Sequence, residues 1–194
     1  FGDATVYLEK YVPDARHIEV QIFGDHDGNI VHLGERDCSL QRRYQKLVEE
    51  SPAYAVPSAV LEQMERSALA LAGELGYHSA GTMEFLFDAA TGRFYFLEMN
   101  TRLQVEHPVT EMVTGLDLVQ LQLRVAGGEP SPLRQHEVPF SGHAIECRVT
   151  AESPWEGFRP SPGIITTWRA PGGAHVRVDT HCHLGYPITP FYDS

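Results

Sequence analysis

Polar side chains continue directly from an apolar strand pattern in the segment FYFLEMNTRLQVEHPVTE. The polar residues stand at every second position, and they are Glu98, Asn100, Arg102, Gln104 and Glu106. Side chains at alternate positions of an extended chain point to the same side. If the chain stays extended, the spacing therefore predicts a row of charged and amide groups leading out of a buried strand.

A second acid is expected opposite the first member of this row. The segment SAGTMEFLFDAATGRFYFLEMN has the pattern of a β-hairpin with its turn at ATG. A register that closes Asp88 against Phe94 places Glu84 directly opposite Glu98, where like charges repel. A hard divalent cation would neutralise them, and Asn100 adds an amide oxygen. The alternative is an exposed face of solvated acids, and the pattern supports both equally.

The rest of the row has groups that can hold and deprotonate a small oxyanion. Arg102 supplies a planar fork of donors, Gln104 an amide and Glu106 a base. The alternative is a surface salt bridge between Arg102 and Glu106, which charge alternation by itself favours.

A basic segment stands out in an otherwise acidic chain. GERDCSLQRRYQKLVEE carries Arg36, Arg42, Arg43 and Lys46. We predict a loop whose positive charge receives phosphate or carboxylate. The alternative is a solvated loop balanced by Glu49 and its neighbour.

Several segments have the patterns of the elements that must position these residues. We expect a strand at residues 5–12, a hairpin formed by residues 17–23 and 29–34, a helix between Ser58 as N-cap and Gly76 as C-terminal cap, a helix over about residues 110–125, and strands in GHAIECRVTAE and GIITTWRA. The first helix should bury one face, made of Val60, Met64, Ala68, Leu71 and Leu75.

The composition limits the classes of function. The chain has 194 residues, 42% of them hydrophobic, and a formal net charge of −11. This balance is typical of a folded protein and argues against nucleic acid or an anionic membrane as the partner. No apolar run is long enough to span a bilayer. The chain has three cysteines and no CxxC pair, which favours a reducing compartment, either the cytoplasm or an organelle matrix.

Taken together, these segments resemble biotin carboxylase, the ATP-dependent component of biotin-dependent carboxylases. The matching runs occur in family order: YLEKYV, RHIEVQ, GERDCSLQRRYQK, EFLF, EMNTRLQVEHPVTEM, GHAIECRVTAE and PSPG. E-x-N alone would indicate only the wider ATP-grasp superfamily, whereas QRRYQK with TRLQVEHPVTE is specific.

The resemblance implies an α+β fold in two parts. Residues 1–130 correspond to the second half of an ATP-grasp domain. Residues 131–194 correspond to the beginning of the family's C-terminal domain, after a Gly/Pro-rich boundary. The family's N-terminal domain and most of its glycine-rich lid are expected before Phe1, so the ATP site within this chain is expected to be incomplete.

The resemblance also implies roles for individual residues. Those expected to bind Mg²⁺ or Mn²⁺ against the nucleotide phosphates are Glu84, Glu98 and Asn100. Those expected near ATP are Glu9, Lys10 and Val12 at the adenine, His17 at the ribose, and Gln41 and Leu86 beside the nucleotide. Those expected to bind bicarbonate are Lys46, Arg102, Gln104 and the backbone of Val105. Glu106 is expected to be the general base, and Arg148 to stabilise the ureido oxygen of biotin.

The implied activity is ATP-dependent carboxylation of biotin with bicarbonate, through carboxyphosphate. The implied setting is the first half-reaction of acetyl-CoA carboxylase in fatty acid synthesis, with a biotin carboxyl carrier protein or domain, a carboxyltransferase and a homodimeric enzyme. Alternatives are the corresponding part of propionyl-CoA, methylcrotonyl-CoA or pyruvate carboxylase, or another ATP-grasp ligase. From a different class, a non-catalytic assembly module is possible, but it would not need to gather charges that are costly to desolvate.

Overall fold

An antiparallel sheet forms the centre of the first of two compact units. The computed structural model describes residues 4–190, and the units divide between Arg148 and Val149. Six strands pair antiparallel in the order β5-β4-β1-β2-β3-β6. Their bounds are β1 Arg16–Gly24, β2 Ile30–Arg42, β3 Gln45–Ser51, β4 Ser79–Asp88, β5 Arg93–Asn100 and β6 Ala144–Cys147.

Three α-helices accompany this sheet, and the second unit contains only short elements. The helices are α1 Ser58–Glu74, α2 His107–Thr114 and α3 Leu118–Ala126, followed by a 3-10 turn at Gln135–Glu137. The second unit has four two-residue strands, β7 Glu152–Ser153, β8 Arg159–Pro160, β9 Gly163–Ile164 and β10 Pro187–Ile188, with a 3-10 turn at Pro154–Glu156. None of the helices in residues 4–190 is both long and apolar enough to cross a membrane.

Strand β1 buries side chains on both faces of the sheet. Ile18, Val20 and Ile22 belong to a core that includes Met64 and Ala68 of α1. Glu19 and Gln21 are also fully buried, but alternation directs them to the opposite face. A strand of alternating polarity usually has one solvated face. Here both faces are covered, and the polar one becomes part of a buried site.

The apolar remainder of that second face packs under α3. Phe23 of β1 and Leu33 of β2 cluster with Leu118, Leu121 and Val125 of α3. This second core occupies the end of β1 beyond Gln21. It therefore closes one side of the polar site.

Helix α1 confirms the predicted C-terminal cap and corrects the predicted N-cap. Gly76 has φ +57°. Two backbone hydrogen bonds form a Schellman motif there: Gly76 N–H donates to Gly73 O at 3.1 Å, and Tyr77 N–H donates to Ala72 O at 2.9 Å. Pro57 stands at the N-cap, so the prediction that Ser58 caps the helix is wrong by one position.

The buried face of α1 follows the predicted period, with one exception. Met64 and Ala68 are fully buried, and Val60 and Leu71 are partly buried against the same core. Leu75 is 61% exposed, and it is the C-cap residue at which the helix ends.

The strand predicted at residues 5–12 is not formed. Residues 4–12 have no regular secondary structure, and Leu8 is fully exposed, whereas Val12 is buried. A strand needs a neighbouring strand to complete its ladder of hydrogen bonds. Within residues 4–190, no strand pairs with this segment.

The basic segment predicted as a loop is a hairpin. β2 continues to Arg42, and β3 begins at Gln45. The two turn residues, Arg43 and Tyr44, both have left-handed backbones, with φ of 52° and 63°. Two-residue hairpin turns of this kind normally contain Asn-Gly or Asp-Gly. Because this turn contains neither pair, its sequence does not signal a hairpin.

The helix predicted at about residues 110–125 is two helices. Gly115 adopts φ +69° and ends α2, and Asp117 caps α3 by accepting from Gln120 N–H at 2.8 Å. In the second unit, only Gly163 and Ile164 of GIITTWRA are in a strand. Arg159 and Pro160, which lie between the two predicted strand segments, pair with β7.

The register of the β4–β5 hairpin differs from the predicted one at the turn, but the two acids still pair as predicted. Asp88 faces Arg93, not Phe94. A bulge between the 85/96 and 84/98 pairs adds one residue to β5 and restores Glu84 opposite Glu98. The predicted juxtaposition is confirmed, although its predicted origin at the turn is wrong.

Candidate active site

Lys46 lies at the centre of a cluster of carboxylates from separate elements. Its ammonium group is 2.6 Å from Glu19 Oε2, 2.7 Å from Glu106 Oε1 and 3.0 Å from Glu84 Oε1. These acids come from β1, the N-cap of α2 and β4. Burial favours the neutral amine, but the charges of Glu19 and Glu106 outweigh it and raise the pKa of Lys46 above its usual value. Lys46 is therefore a fixed cation.

Arg36 supports this cluster through hydrogen bonds and is itself fully buried. Its Nε donates to Glu19 Oε1 at 2.6 Å, and its Nη1 donates to Gln21 at 2.8 Å and to Thr110 at 2.7 Å. Although burial opposes ionisation, Arg36 and Lys46 lower the pKa of Glu19. Arg36 therefore belongs to the site, but as an internal support and not as part of a surface loop.

Glu84 collects donors from several of the predicted site residues. Its Oε1 accepts from Asn100 Nδ2 at 3.0 Å and from Gln104 Nε2 at 2.9 Å. Its Oε2 lies 2.8 Å from His17 Nε2. Burial would raise the pKa of Glu84, but the His17 hydrogen bond and the Lys46 charge lower it to about 2. Glu84 is thus ionised and has donors on both carboxylate oxygens.

His17 links this carboxylate to Gln41. Gln41 Nε2 lies 2.9 Å from His17 Nδ1. An amide nitrogen can only donate, so His17 Nδ1 accepts and the ring proton of the neutral imidazole is on Nε2, facing Glu84. The arrangement fixes the orientation of the imidazole.

The predicted metal ligands are brought together around the amide of Asn100. Its Nδ2 lies 3.0 Å from Glu84 Oε1 and 3.2 Å from Glu98 Oε1, while its Oδ1 accepts from Arg102 at 3.2 Å. A half-turn of the amide would direct a third oxygen to the same point. Two carboxylates and an amide oxygen are the hard ligands that Mg²⁺ takes, so these residues fit such an ion.

Arg148 adds a second cation on the far side of Glu106. Its Nη2 donates to Glu106 Oε2 at 2.8 Å, and its Nε donates to Glu49 Oε1 at 2.7 Å. Glu106 therefore has one oxygen on Lys46 and the other on Arg148. Its carboxylate is held in one orientation between two donors.

The polar row does not reach this geometry by staying extended. β5 ends at Asn100, and a turn in which His107 N–H donates to Gln104 O at 3.3 Å leads into α2. The turn buries Gln104 and Glu106, which are 6% and 2% exposed. Arg102 remains exposed and pairs with Asn100, so the alternative of an Arg102–Glu106 salt bridge is wrong.

Among the residues predicted at the adenine end, Lys10 contacts strand β5. Lys10 is exposed and donates to the Tyr95 hydroxyl at 2.8 Å, with Nζ 4.6 Å from the ring centre. Glu9 is exposed and Val12 is buried. Leu86 is half-buried on β4, opposite Tyr95.

The bicarbonate assignments fall partly at the surface. The backbone assigned at Val105 lies between the buried Gln104 and Glu106, and the Val105 side chain is 61% exposed.

Three charged residues have roles in the cluster that the sequence did not predict. Glu19 lies in the RHIEVQ run but has no predicted role, Arg36 is predicted in a loop, and Glu49 is predicted only as a counter-charge. The available signal is the alternation of Glu19 and Gln21 with Ile18 and Val20, which places polar groups on a second strand face. Nothing local shows that this face is buried.

Two family models match the chain. The carbamoyl-phosphate synthase L chain, ATP binding domain, matches residues 1–134. The biotin carboxylase C-terminal domain matches residues 146–194.

Curated relatives align over all 194 residues. Biotin carboxylase 1 of Bacillus subtilis is 55% identical, and the chain covers 43% of it. One of the pyruvate carboxylase subunits of Methanothermobacter thermautotrophicus is 53% identical, and the chain covers 39% of it. The chain thus spans about two-fifths of the length of these relatives.

Solved structures agree with the fold. A biotin carboxylase–β,γ-ATP complex from Campylobacter jejuni is 50% identical with a TM-score of 0.95, covering 100% of this chain and 43% of that one. The biotin carboxylase domain dimer of 2-oxoglutarate carboxylase from Hydrogenobacter thermophilus, in complex with MgADP, ADP and bicarbonate, is 52% identical with a TM-score of 0.92, covering 96% and 41%.

Proposed function

This chain belongs to the biotin carboxylase family, and we propose that the full-length protein carboxylates biotin with ATP and bicarbonate. The observation that carries the proposal is the convergence of Lys46 and Arg148 on the two oxygens of Glu106. A base held between two cations suits a reaction in which anions form and decay. The names of the relatives and the bound molecules of the solved structures support this assignment.

In the first step, Glu106 takes the proton of bicarbonate. The bicarbonate oxygen then attacks the γ-phosphorus of ATP, which gives carboxyphosphate and ADP. Lys46 and Arg102 offset the negative charge and keep the oxyanion in line, so catalysis is mostly positioning and electrostatics. Gln104 and the Val105 backbone complete the bicarbonate contacts.

In the second step, carboxyphosphate yields CO₂ and phosphate. The phosphate takes the proton from biotin N1, and the ureido anion attacks CO₂. Arg148 stabilises the negative charge that develops on the ureido oxygen.

Glu84, Glu98 and Asn100 would hold Mg²⁺ or Mn²⁺ against the nucleotide. A divalent ion there would neutralise charge on the phosphates. His17 and Gln41 orient Glu84 and, with Leu86, border the nucleotide. Glu9, Lys10 and Val12 contact its adenine end.

We assign the protein to acetyl-CoA carboxylase, with a biotin carboxyl carrier protein or domain and a carboxyltransferase as partners. The runs VEESPA and EMNTRLQVEHPVTEM resemble those of acetyl-CoA and acyl-CoA carboxylases more than those of pyruvate carboxylase, which supports this choice. Pyruvate carboxylase is the second candidate, because one of its subunits is 53% identical. A homodimer is proposed by analogy with the domain dimer from Hydrogenobacter thermophilus. The cytoplasm or an organelle matrix is the proposed location.

The proposed domain division stays at residue 130. The family models match residues 1–134 and 146–194, and the gap between them begins shortly after residue 130, which supports a boundary in this part of the chain.

The test is ADP release by the full-length protein, with and without bicarbonate and free biotin. We expect release that requires bicarbonate and rises with biotin. Release that ignores biotin would instead indicate another ATP-grasp ligase. The absence of any release, with the carrier protein also present, would contradict an enzymatic role.

A further inference from the structure

Two glutamates face each other across β3 and β6 beside Arg148. Glu49 and Glu146 are register partners in this antiparallel pair. The Glu49 side chain is fully buried, and that of Glu146 is partly buried. Like charges directly opposite on neighbouring strands are destabilising. The repulsion between the Glu49 and Glu146 carboxylates therefore has to be relieved by a nearby positive charge or by a proton.

Each of these carboxyl groups has an oxygen with an unmet hydrogen-bonding capacity. Glu49 Oε1 accepts from Arg148 Nε at 2.7 Å. Glu49 Oε2 and Glu146 Oε2 are buried, and neither has a hydrogen-bond partner within residues 4–190. Two ionised carboxylates can only accept, whereas a protonated one has an O–H to donate. One proton on the pair would therefore supply the missing donor.

We propose that Glu49 and Glu146 share one proton, and that this proton sets the orientation and effective charge of Arg148. The two glutamates are positioning residues, since they act through Arg148. The inference rests on the proposed function for its catalytic consequence, but the shared proton itself does not.

The surrounding charges favour the protonated pair. Burial, followed by the charges of Glu49 and Glu106, raises the pKa of Glu146 to about 7, and Arg148 and Arg36 oppose this rise. Burial also raises the pKa of Glu49.

Helix α2 packs against β6, and its titratable side chains, His107 and Glu111, lie close to each other. His107 Nε2 and Glu111 Oε2 lie 4.0 Å apart, and Glu111 Oε1 accepts from Leu118 N–H at 2.5 Å.

The proton changes how strongly Arg148 can attract an anion. With it, Glu49 and Glu146 carry one negative charge together, opposite one positive charge on Arg148. Without it, they carry two negative charges, while the charge of Glu106 on Arg148 is the same in both states. The extra charge weakens the pull of Arg148 on a ureido oxygen. Since the pair is protonated below about pH 7, biotin-dependent turnover should lose efficiency as pH rises through that value.

The first measurement is an infrared difference spectrum of the full-length protein across pH 5.5–8.5, a range of roughly 1.5 units on either side of the expected titration. We expect protonated-carboxyl absorption that disappears with rising pH, with one component missing in Glu146→Gln and a different component missing in Glu65→Gln. Glu65→Gln is the matched control, since Glu65 also has a pKa raised to about 7 but lies on α1 beside Glu35 and Glu62. A spectrum in which Glu146→Gln removes no band would overturn the shared proton.

The second measurement is the ratio of biotin-dependent to biotin-independent ADP release over the same pH range. The ratio cancels effects of pH on ATP and bicarbonate. We expect it to fall about five- to tenfold in the natural protein, the order expected from one added charge near a catalytic cation. It should be flat in Glu146→Gln, and Glu65→Gln should follow the natural protein.

The two measurements separate the possible failures. A band that titrates with an unchanged ratio would overturn the link to Arg148 but keep the shared proton. An absence of biotin-dependent release at every pH would overturn the proposed function and the link to Arg148 together. The infrared band would still show whether Glu49 and Glu146 share a proton.

Discussion

The two ends of one polar row differ in the source of their counter-charge. Gln104 and Glu106 are buried, and Glu106 meets Lys46 and Arg148 within the chain. Glu98 and Arg102 are exposed and meet mainly Asn100 between them. The buried end is organised by the protein before any ligand arrives. The exposed end presents an acid and a guanidinium to the metal ion, phosphate or bicarbonate of the proposed function.

This difference predicts which substitutions in the row alter stability and which alter ligand binding. A charge that is buried and paired cannot lose its partner cheaply, because the remaining charge stays desolvated. An exposed charge returns to water when its partner is removed. Substitutions at the buried end should therefore affect folding or chemistry, and those at the exposed end should affect ligand affinity.

Glu106→Gln should have the largest effect. Loss of the base should reduce biotin-dependent ADP release by about 10³-fold, within the range for general base catalysis. The fold should persist, because Lys46 keeps Glu19 and Glu84, and Arg148 keeps Glu49. Thermal unfolding and ADP release of the full-length variant test this together. Normal turnover in a folded variant would remove Glu106 from its proposed role.

The same substitution at a buried and an exposed arginine sharpens the comparison. Arg36→Met should reduce the free energy of unfolding by about 3–5 kcal/mol, because it removes one partner of a buried ion pair. Arg102→Met should change it by less than about 0.5 kcal/mol, as an exposed substitution does, but should raise the KM for bicarbonate. Denaturant unfolding compares the two variants. Equal losses of stability would show that burial does not distinguish these arginines.

Arg148→Ala should reduce the carboxylation of biotin more than it weakens nucleotide binding. Removing a donor to a developing oxyanion typically costs about 10²-fold in rate, so biotin-dependent turnover should fall by that order. The Kd for MgADP should change by less than about threefold, a difference near RT in free energy. Parallel losses in turnover and nucleotide affinity would argue against contact with the ureido oxygen.

Glu65 provides a pH test outside the row. Burial, with Glu35 and Glu62 nearby, raises its pKa from 4.5 to about 7. Its stabilising contribution is therefore complete below about pH 4.5 and is lost as pH rises to about 7. Glu65→Gln should be more stable than the natural protein at pH 8, by about 1–3 kcal/mol, and equally stable near pH 4. Thermal scans at both values would refute this if the difference did not depend on pH.

The sequence predicted the hairpins near the site but not all of the contacts they make. The β1–β2 hairpin, the Gly76 cap and the Glu84–Glu98 pair are confirmed. The pair survived a wrong turn register because the bulge in β5 compensated by one residue. A bulge depends on cross-strand packing, so the alternation of one strand does not report it.

The sequence by itself determined the local and chemical features of this protein. Alternation in β1 and the Schellman glycine follow from chain periods of two and 3.6 residues, and Lys46, Glu84 and Glu106 lie in motifs of the sequence. These features depend on neighbours in the chain, so they can be found without the fold.

Only the tertiary structure decided which charges are buried and which meet. Arg36 reaches Thr110, and Glu49 lies against Arg148, through contacts between segments far apart in sequence. The cost of an unpaired charge depends on its desolvation, which is set by every element packed around it. That is why the sequence predicts Arg36 in a solvated loop, whereas the folded chain makes it an internal support of the site.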